Sequence, residues 1–259
     1  MPFTPTHVLA AVPLARWLQK LPFSALAIGC MIPDLPLFVP AVKYMQTHNL
    51  SGMLAFCLPL GLAVFMLYEC LLKVPLVALL PRWFQLRMTS HARPTLKPSW
   101  WFFLGVGSAM CLGTATHIFW DAFTHEGQWG TRVFPWLNET FVVNGKQVRY
   151  YNLLQHLCTL IGLPLLLVIW LRELIQTTPA EKIPAQLQLT RQQKALGWSL
   201  VIIPPVLVAL WKVITEPTWS TRAFFAVTYS GTTWMLMLLV YAGLHLKFTH
   251  GDRQTGQAF

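Results

Sequence analysis

Residues 117–125 read HIFWDAFTH, and no other nine residues of the chain say as much. His117, Asp121 and His125 recur every four positions, so on a helix they stack on one face, one turn above the next. The stretch lies inside a run apolar enough for a lipid bilayer. Ionisable groups are costly there and mark a site by default. Two imidazoles and a carboxylate so placed can converge on a metal ion or pass a proton.

Working outward, the rest of the chain is equally apolar. Of 259 residues, 55% are hydrophobic and only 11% charged, against roughly 25% charged in an average soluble domain. Mean hydropathy is +0.50. These values predict an all-α integral membrane protein. Five stretches are long enough for a ~30 Å hydrocarbon core, which takes about 20 residues: 54–80, 100–123, 153–171, 196–215 and 224–246. Prolines at 59, 75, 164, 204 and 205 are expected to kink some of them, as membrane helices allow. The organisation expected is one membrane domain over 1–259: an N-terminal helical hairpin (1–33), a five-helix transmembrane bundle (54–246) and a polar tail (247–259).

The hairpin is read from two short apolar runs. Thr4 or Thr6 is expected to cap a helix to about Leu18, with Pro5 in its first turn. Leu21-Pro22 breaks the chain, and FSALAIGCMI at 23–32 ends at Pro33. Arg16 and Lys20 sit at the bend. The alternative is one broken transmembrane helix.

The net charge of +10 belongs to a cationic inner rim facing anionic lipid. No Lys/Arg stripe accompanies a nucleic-acid reading module, so nucleic acid is not expected as a partner. Five cysteines, all in apolar runs and without a CxxC pair, read as small buried hydrophobes rather than a disulfide framework. The N-terminus lacks the basic start of a secretory signal and is expected to be retained.

Orientation follows from Lys and Arg. Arg82, Arg87, Arg93, Lys97, Arg172, Lys182, Arg191, Lys194, Lys247 and Arg253 fall on one side; Lys43, Arg132, Lys146, Arg149 and Arg222 fall on the other. The richer side is expected to be cytoplasmic, with the C-terminus inside. His117–His125 then lie at the outer end of the second span, beside the segment holding Asp34 and His48, and a hairpin returns His7 to the same face. The candidate metal ligands are His7, Asp34, His48, His117, Asp121 and His125, with Asp34 and Asp121 as candidate catalytic groups. Imidazole suits zinc first, and carboxylates admit manganese or iron. A bound ion would bring its water's pKa near neutrality at the membrane surface. Asp252 reads as a solvated tail residue, and Glu69 as the partner of Lys73, four residues on. Aromatic residues of loop 126–152 read as an interfacial belt.

Three segments, MPFTPTHVLAAVPL, LPFSALAIGCMIPDLPLF and HIFWDAFTH, together resemble the DUF4184 family of bacterial membrane proteins, most strongly over residues 1–60 and 113–156. The Thr-His, Pro-Asp, Thr-His and His-x3-Asp elements are also similar to YdjM-like membrane-bound metal-dependent hydrolases, themselves distantly similar to zinc-dependent phospholipase C. This resemblance implies metal-site roles for Thr6-His7, Pro33-Asp34, Thr47-His48 and His117-x3-Asp121. YYNLLQH at 150–156 looks like the DUF4184 pattern and brings His156 to the same face. The chain departs from the hydrolases where Leu35-Pro36-Leu37 follow Pro33-Asp34 in place of further acids.

The expected activity is hydrolysis at the outer face of the bacterial inner membrane, on a phosphoester or lipid-linked bond. Two alternatives compete: a non-enzymatic structural partner or lipid-handling carrier, and a His/Asp cluster that only fixes helix packing. Oligomeric state is left open.

Overall fold

Five helices of the computed structural model have the length and apolarity to cross a membrane: Leu50–Leu79, Trp100–Thr124, Tyr150–Gln176, Arg191–Thr215 and Trp219–Thr249. We call them the first to fifth spans. Residues 3–39, 43–93, 95–97, 99–143 and 145–255 are described; the end of the polar tail, 256–259, and the side chains of His250, Asp252 and Arg253 lie outside them. This is a multi-pass membrane protein, and the described residues are predominantly helical. They also form a two-stranded antiparallel hairpin, Thr140–Val143 with Lys146–Arg149, closed at Gly145 with φ of 75°.

The prolines act locally. Residues Met53–Cys57 and Tyr68–Leu72 adopt π-helical turns, each just ahead of Pro59 and Pro75. A proline cannot donate to the preceding turn, and a widened turn relieves the resulting clash. Pro164, Pro204 and Pro205 sit inside continuous helices.

The chain divides into two compact units. One comprises residues 1–36, 40–65 and 97–173. Here the N-terminus forms a helical hairpin: a 3-10 helix Thr4–Ala10 continuing as α-helix Ala11–Trp17, then helix Phe23–Met31 and a 3-10 turn Ile32–Leu37. The expected capping by Thr4 or Thr6 does not occur. Phe3 is the N-cap without a side-chain bond, Pro5 starts the helix, and Thr6 Oγ1 donates to the Phe3 carbonyl at 2.8 Å. Helix Phe23–Met31 lies parallel to the second span in backbone contact. An added Cβ at Gly29 would strike the Met110 carbonyl, and one at Gly113 the Leu26 carbonyl and the Cys30 amide. Only glycine permits that approach. Leu26, Cys30, Val106 and Met110 are buried around it.

The other unit comprises residues 37–39, 66–96 and 174–259. Its core joins Leu79, Val201, Leu238 and Tyr241. The Tyr241 hydroxyl donates to the Pro75 carbonyl at 3.2 Å, satisfying its polar tip. The expected Glu69–Lys73 pair is present: Lys73 Nζ lies 2.8 and 3.0 Å from the two carboxylate oxygens.

Candidate metal centre

Four stretches far apart in sequence deliver side chains to one buried point. The 3-10 helix at the N-terminus carries His7. The turn Ile32–Leu37 carries Asp34, helix Tyr44–Thr47 ends on His48, and the second span carries His117 and Asp121. Asp34 and His117 are fully buried, and His7, His48 and Asp121 nearly so. Asp34, His48, His117 and Asp121 each offer a ligand atom within 4.8 Å of the others. His48 Nε2 lies 3.6 Å from Asp34 Oδ1 and 3.5 Å from Asp121 Oδ2; His117 Nε2 lies 3.6 Å and 3.3 Å from the same two oxygens.

The far side of each imidazole fixes its tautomer. His117 Nδ1 is 2.7 Å from the Cys30 carbonyl, and His48 Nδ1 is 3.0 Å from the Tyr44 carbonyl. A carbonyl only accepts, so both Nδ1 atoms carry hydrogen and a neutral ring turns an Nε2 lone pair inward. Thr47 braces the arrangement by donating to the Pro33 carbonyl at 2.7 Å. Thr4 Oγ1 donates to Asp34 Oδ2 at 2.7 Å, leaving Oδ1 for the centre. Ligating histidines and carboxylates are held this way by their outer partners.

With both rings neutral, two nitrogen lone pairs and two carboxylates thus face each other. His48 Nε2, His117 Nε2, Asp34 Oδ1 and Asp121 Oδ2 are all buried without a hydrogen-bond partner. Their separations exceed the 2.7–2.9 Å of a charge-assisted hydrogen bond. They do match the edge of about 3.3–3.4 Å of a tetrahedron with bonds of ~2.0–2.1 Å. The donor set fits a divalent cation, whose charge balances the two carboxylates. In the absence of a cation a proton takes its place. Burial lowers the His48 pKa, but Asp121 and Asp34 outweigh it and raise the imidazole to about 9.

His7 and His125 stand beside this group. The His7 ring stacks on His117, centroids 3.8 Å apart, with Nε2 3.5 Å from Asp121 Oδ1. His125 lies just past the helix, which ends at Thr124, with extended φ and ψ of −130° and 141°. Its Nδ1 reaches back 3.1 Å to the Asp121 carbonyl, capping the last turn, and stays 3.7 Å from Asp121 Oδ2. His156 is exposed on the third span and is not among the residues gathered here.

Tyr44 is a residue the sequence reading passed over. Its ring lies 3.9 Å from that of His48, and its hydroxyl is buried without a hydrogen-bond partner. Burial and the Asp34 and Asp121 charges push its phenol upward, so it remains a donor. Its spacing, one helical turn before His48 in YMQTH, was the available signal.

The profile of a domain of unknown function, DUF4184, matches residues 1–248. The chain belongs to the DUF4184 family. No curated protein and no solved structure matches it. In this DUF4184 chain, then, the buried His/Asp group able to hold a metal ion is the chemical feature on which function is argued.

Proposed function

We propose that this chain is a metal-dependent hydrolase embedded in the bacterial inner membrane. Its site opens toward the outer face, its C-terminus is cytoplasmic, and a phosphoester or other lipid-linked bond is its substrate. One observation carries the reading: four buried ligand atoms converge within 4.8 Å of one another without a hydrogen-bond partner. Zinc suits the two-nitrogen, two-oxygen set best, with manganese or iron as alternatives. His48, His117, Asp34 and Asp121 would hold it; Thr4, Thr47 and the Cys30 carbonyl orient them. When bound, the ion supplies Lewis acidity and lowers the pKa of a coordinated water. Tyr44 offers a hydroxyl donor to an anionic oxygen, and His7, beside Asp121 Oδ1, holds or takes a proton there. The similarity of the Thr-His, Pro-Asp and His-x3-Asp elements to YdjM-like hydrolases supports the same reading.

A second reading has its own support. Four protein ligands close a tetrahedral set, as structural zinc sites do, whereas catalytic sites keep a position open. On that reading the centre only pins the N-terminal hairpin to the second span, in a non-enzymatic structural or lipid-handling protein. Purified protein in vesicles containing a fluorescent phosphodiester-headed lipid separates the two. Headgroup release that is lost with chelator, restored by zinc and abolished in His117→Ala supports hydrolysis. Bound zinc with no release supports the structural centre.

A further inference from the structure

The dimensions of the N-terminal hairpin match those of a membrane. Two independent registers give its depth. Along the second span, His117 Nδ1 meets the Cys30 carbonyl and Thr114 Oγ1 donates to the Gly29 carbonyl. Further down the same helix, an added Cβ at Gly105 would meet the Leu21 side chain. The hairpin's bend is therefore level with Gly105. At 1.5 Å per residue, that is about 18 Å below His117 and about 28 Å below the helix end at Thr124. The hydrocarbon core is ~30 Å thick.

The third span gives a matching result. An added Cβ at Gly162 would touch Thr6 and Leu9 of the descending arm. Arg172 and Glu173, which end the apolar stretch of that span, lie ten residues on, or about 15 Å lower. From Leu9 to Trp17 the arm descends about 12 Å, and from Thr6 about 18 Å, using a rise of ~2.0 Å in the 3-10 part and 1.5 Å in the α part. The bend and the polar end of the third span coincide.

The bend has the composition of a membrane boundary. Arg16, Gln19 and Lys20 are exposed, and Trp17 is 87% exposed. Trp100 and Trp101, 75% and 77% exposed, begin the second span a little over one turn beyond Gly105, preceded by Lys97. Aromatic and basic side chains together characterise the lipid headgroup layer, and two cations at a dead end in hydrocarbon would be costly. The arms themselves are apolar between their ends.

We infer that the hairpin crosses the hydrocarbon core in both directions and seats Arg16, Trp17 and Lys20 among the anionic phospholipid headgroups of the leaflet opposite the metal centre. The segment is neither a shallow dip nor a single broken span. Its two extra cations fall on the side that the Lys/Arg distribution makes cytoplasmic, reinforcing that orientation. Arms too short for ordinary spans suffice because the second span packs on the returning arm through glycine contacts at 29 and 113, and the third span on the descending arm at Gly162.

The inference stands independently of whether the site hydrolyses anything, because it is read from membrane sidedness. Full-length Trp17→Cys and, as a second tip position, Lys20→Cys are compared with Lys146→Cys in the exposed strand between the second and third spans. Each is reacted with a membrane-impermeant maleimide in right-side-out and inverted vesicles, with the wild type's labelling subtracted. The expected result is a reversal: Lys146→Cys labels in one preparation, and both tip positions label only in the other. Labelling of the tip from the same side as Lys146→Cys overturns the inference. So does a tip that reacts only after detergent, since the bend would then stop inside the bilayer.

Discussion

Glu69–Lys73 and His117–Asp121 have the same sequence signature, two ionisable groups four residues apart on an apolar span, and opposite physical states. In the first pair every strong partner is supplied. Lys73 Nζ sits 2.8 and 3.0 Å from the carboxylate, and the Thr95 amide and hydroxyl donate to Glu69 at 3.0 and 2.9 Å. In the second the facing atoms stop at 3.3–3.6 Å and none makes a hydrogen bond. Burial of charge is common to both and so distinguishes nothing. Convergence of buried ligand atoms with no hydrogen bond among them is the mark of a site that expects a cation.

Substitutions should pull the two regions apart. The largest effect is expected for Asp121→Ala, which removes the carboxylate approached by His7, His48 and His117. Metal affinity, read by chelator competition, should fall by more than the roughly 10–100-fold typical of losing an outer-shell partner, while the protein remains folded. Glu69→Ala should do the reverse. Metal content is expected to be unchanged, but Lys73 left buried and unpaired should lower unfolding stability by about 3–5 kcal/mol. The double variant Glu69→Met/Lys73→Met should recover most of that loss, which thermal unfolding in detergent can check.

The pH dependence sharpens the contrast. With His48 raised to about 9 in the metal-free protein, its proton contributes stability that is full below its ordinary value of about 6.5 and is lost as pH climbs through 9. Metal must displace that proton, so affinity should rise roughly tenfold per pH unit over the window between these two values. Titration calorimetry at several pH values, with proton release measured from buffer ionisation enthalpies, tests the sign. The smallest effect is expected for Thr4→Val, which frees Asp34 Oδ2 and should weaken metal binding about tenfold, at the lower end of outer-partner losses. Chelator competition again reads it.

The sequence makes the spans legible because hydropathy reports what lipid must accept. It misplaces their ends, because polar caps extend a helix past its apolar part. The fourth span begins at Arg191 rather than 196 because Thr190 and Gln193 form a reciprocal capping box. The strand pair at 140–149 is signalled in the sequence only by Asn144-Gly145 between TFVV and KQVR. In a chain this apolar, a four-residue strand is easily absorbed into a loop. Asp34 and Asp121 stand out by scarcity, being two of three aspartates in 259 residues. His125 shows the limit of spacing arguments: four residues after Asp121 is one turn only if the helix continues, and it stops at Thr124. Thr4 reaches Asp34 across thirty residues of chain, which periodicity does not encode.

Metal content with coordination is the most direct measurement. Wild-type protein purified without chelator should retain one equivalent of transition metal through dialysis. X-ray absorption should report a first shell of light nitrogen and oxygen donors at ~2.0–2.1 Å with imidazole scattering, and Asp34→Ala should lose it. A folded wild-type protein that holds no metal after incubation with zinc, manganese or iron would contradict the account.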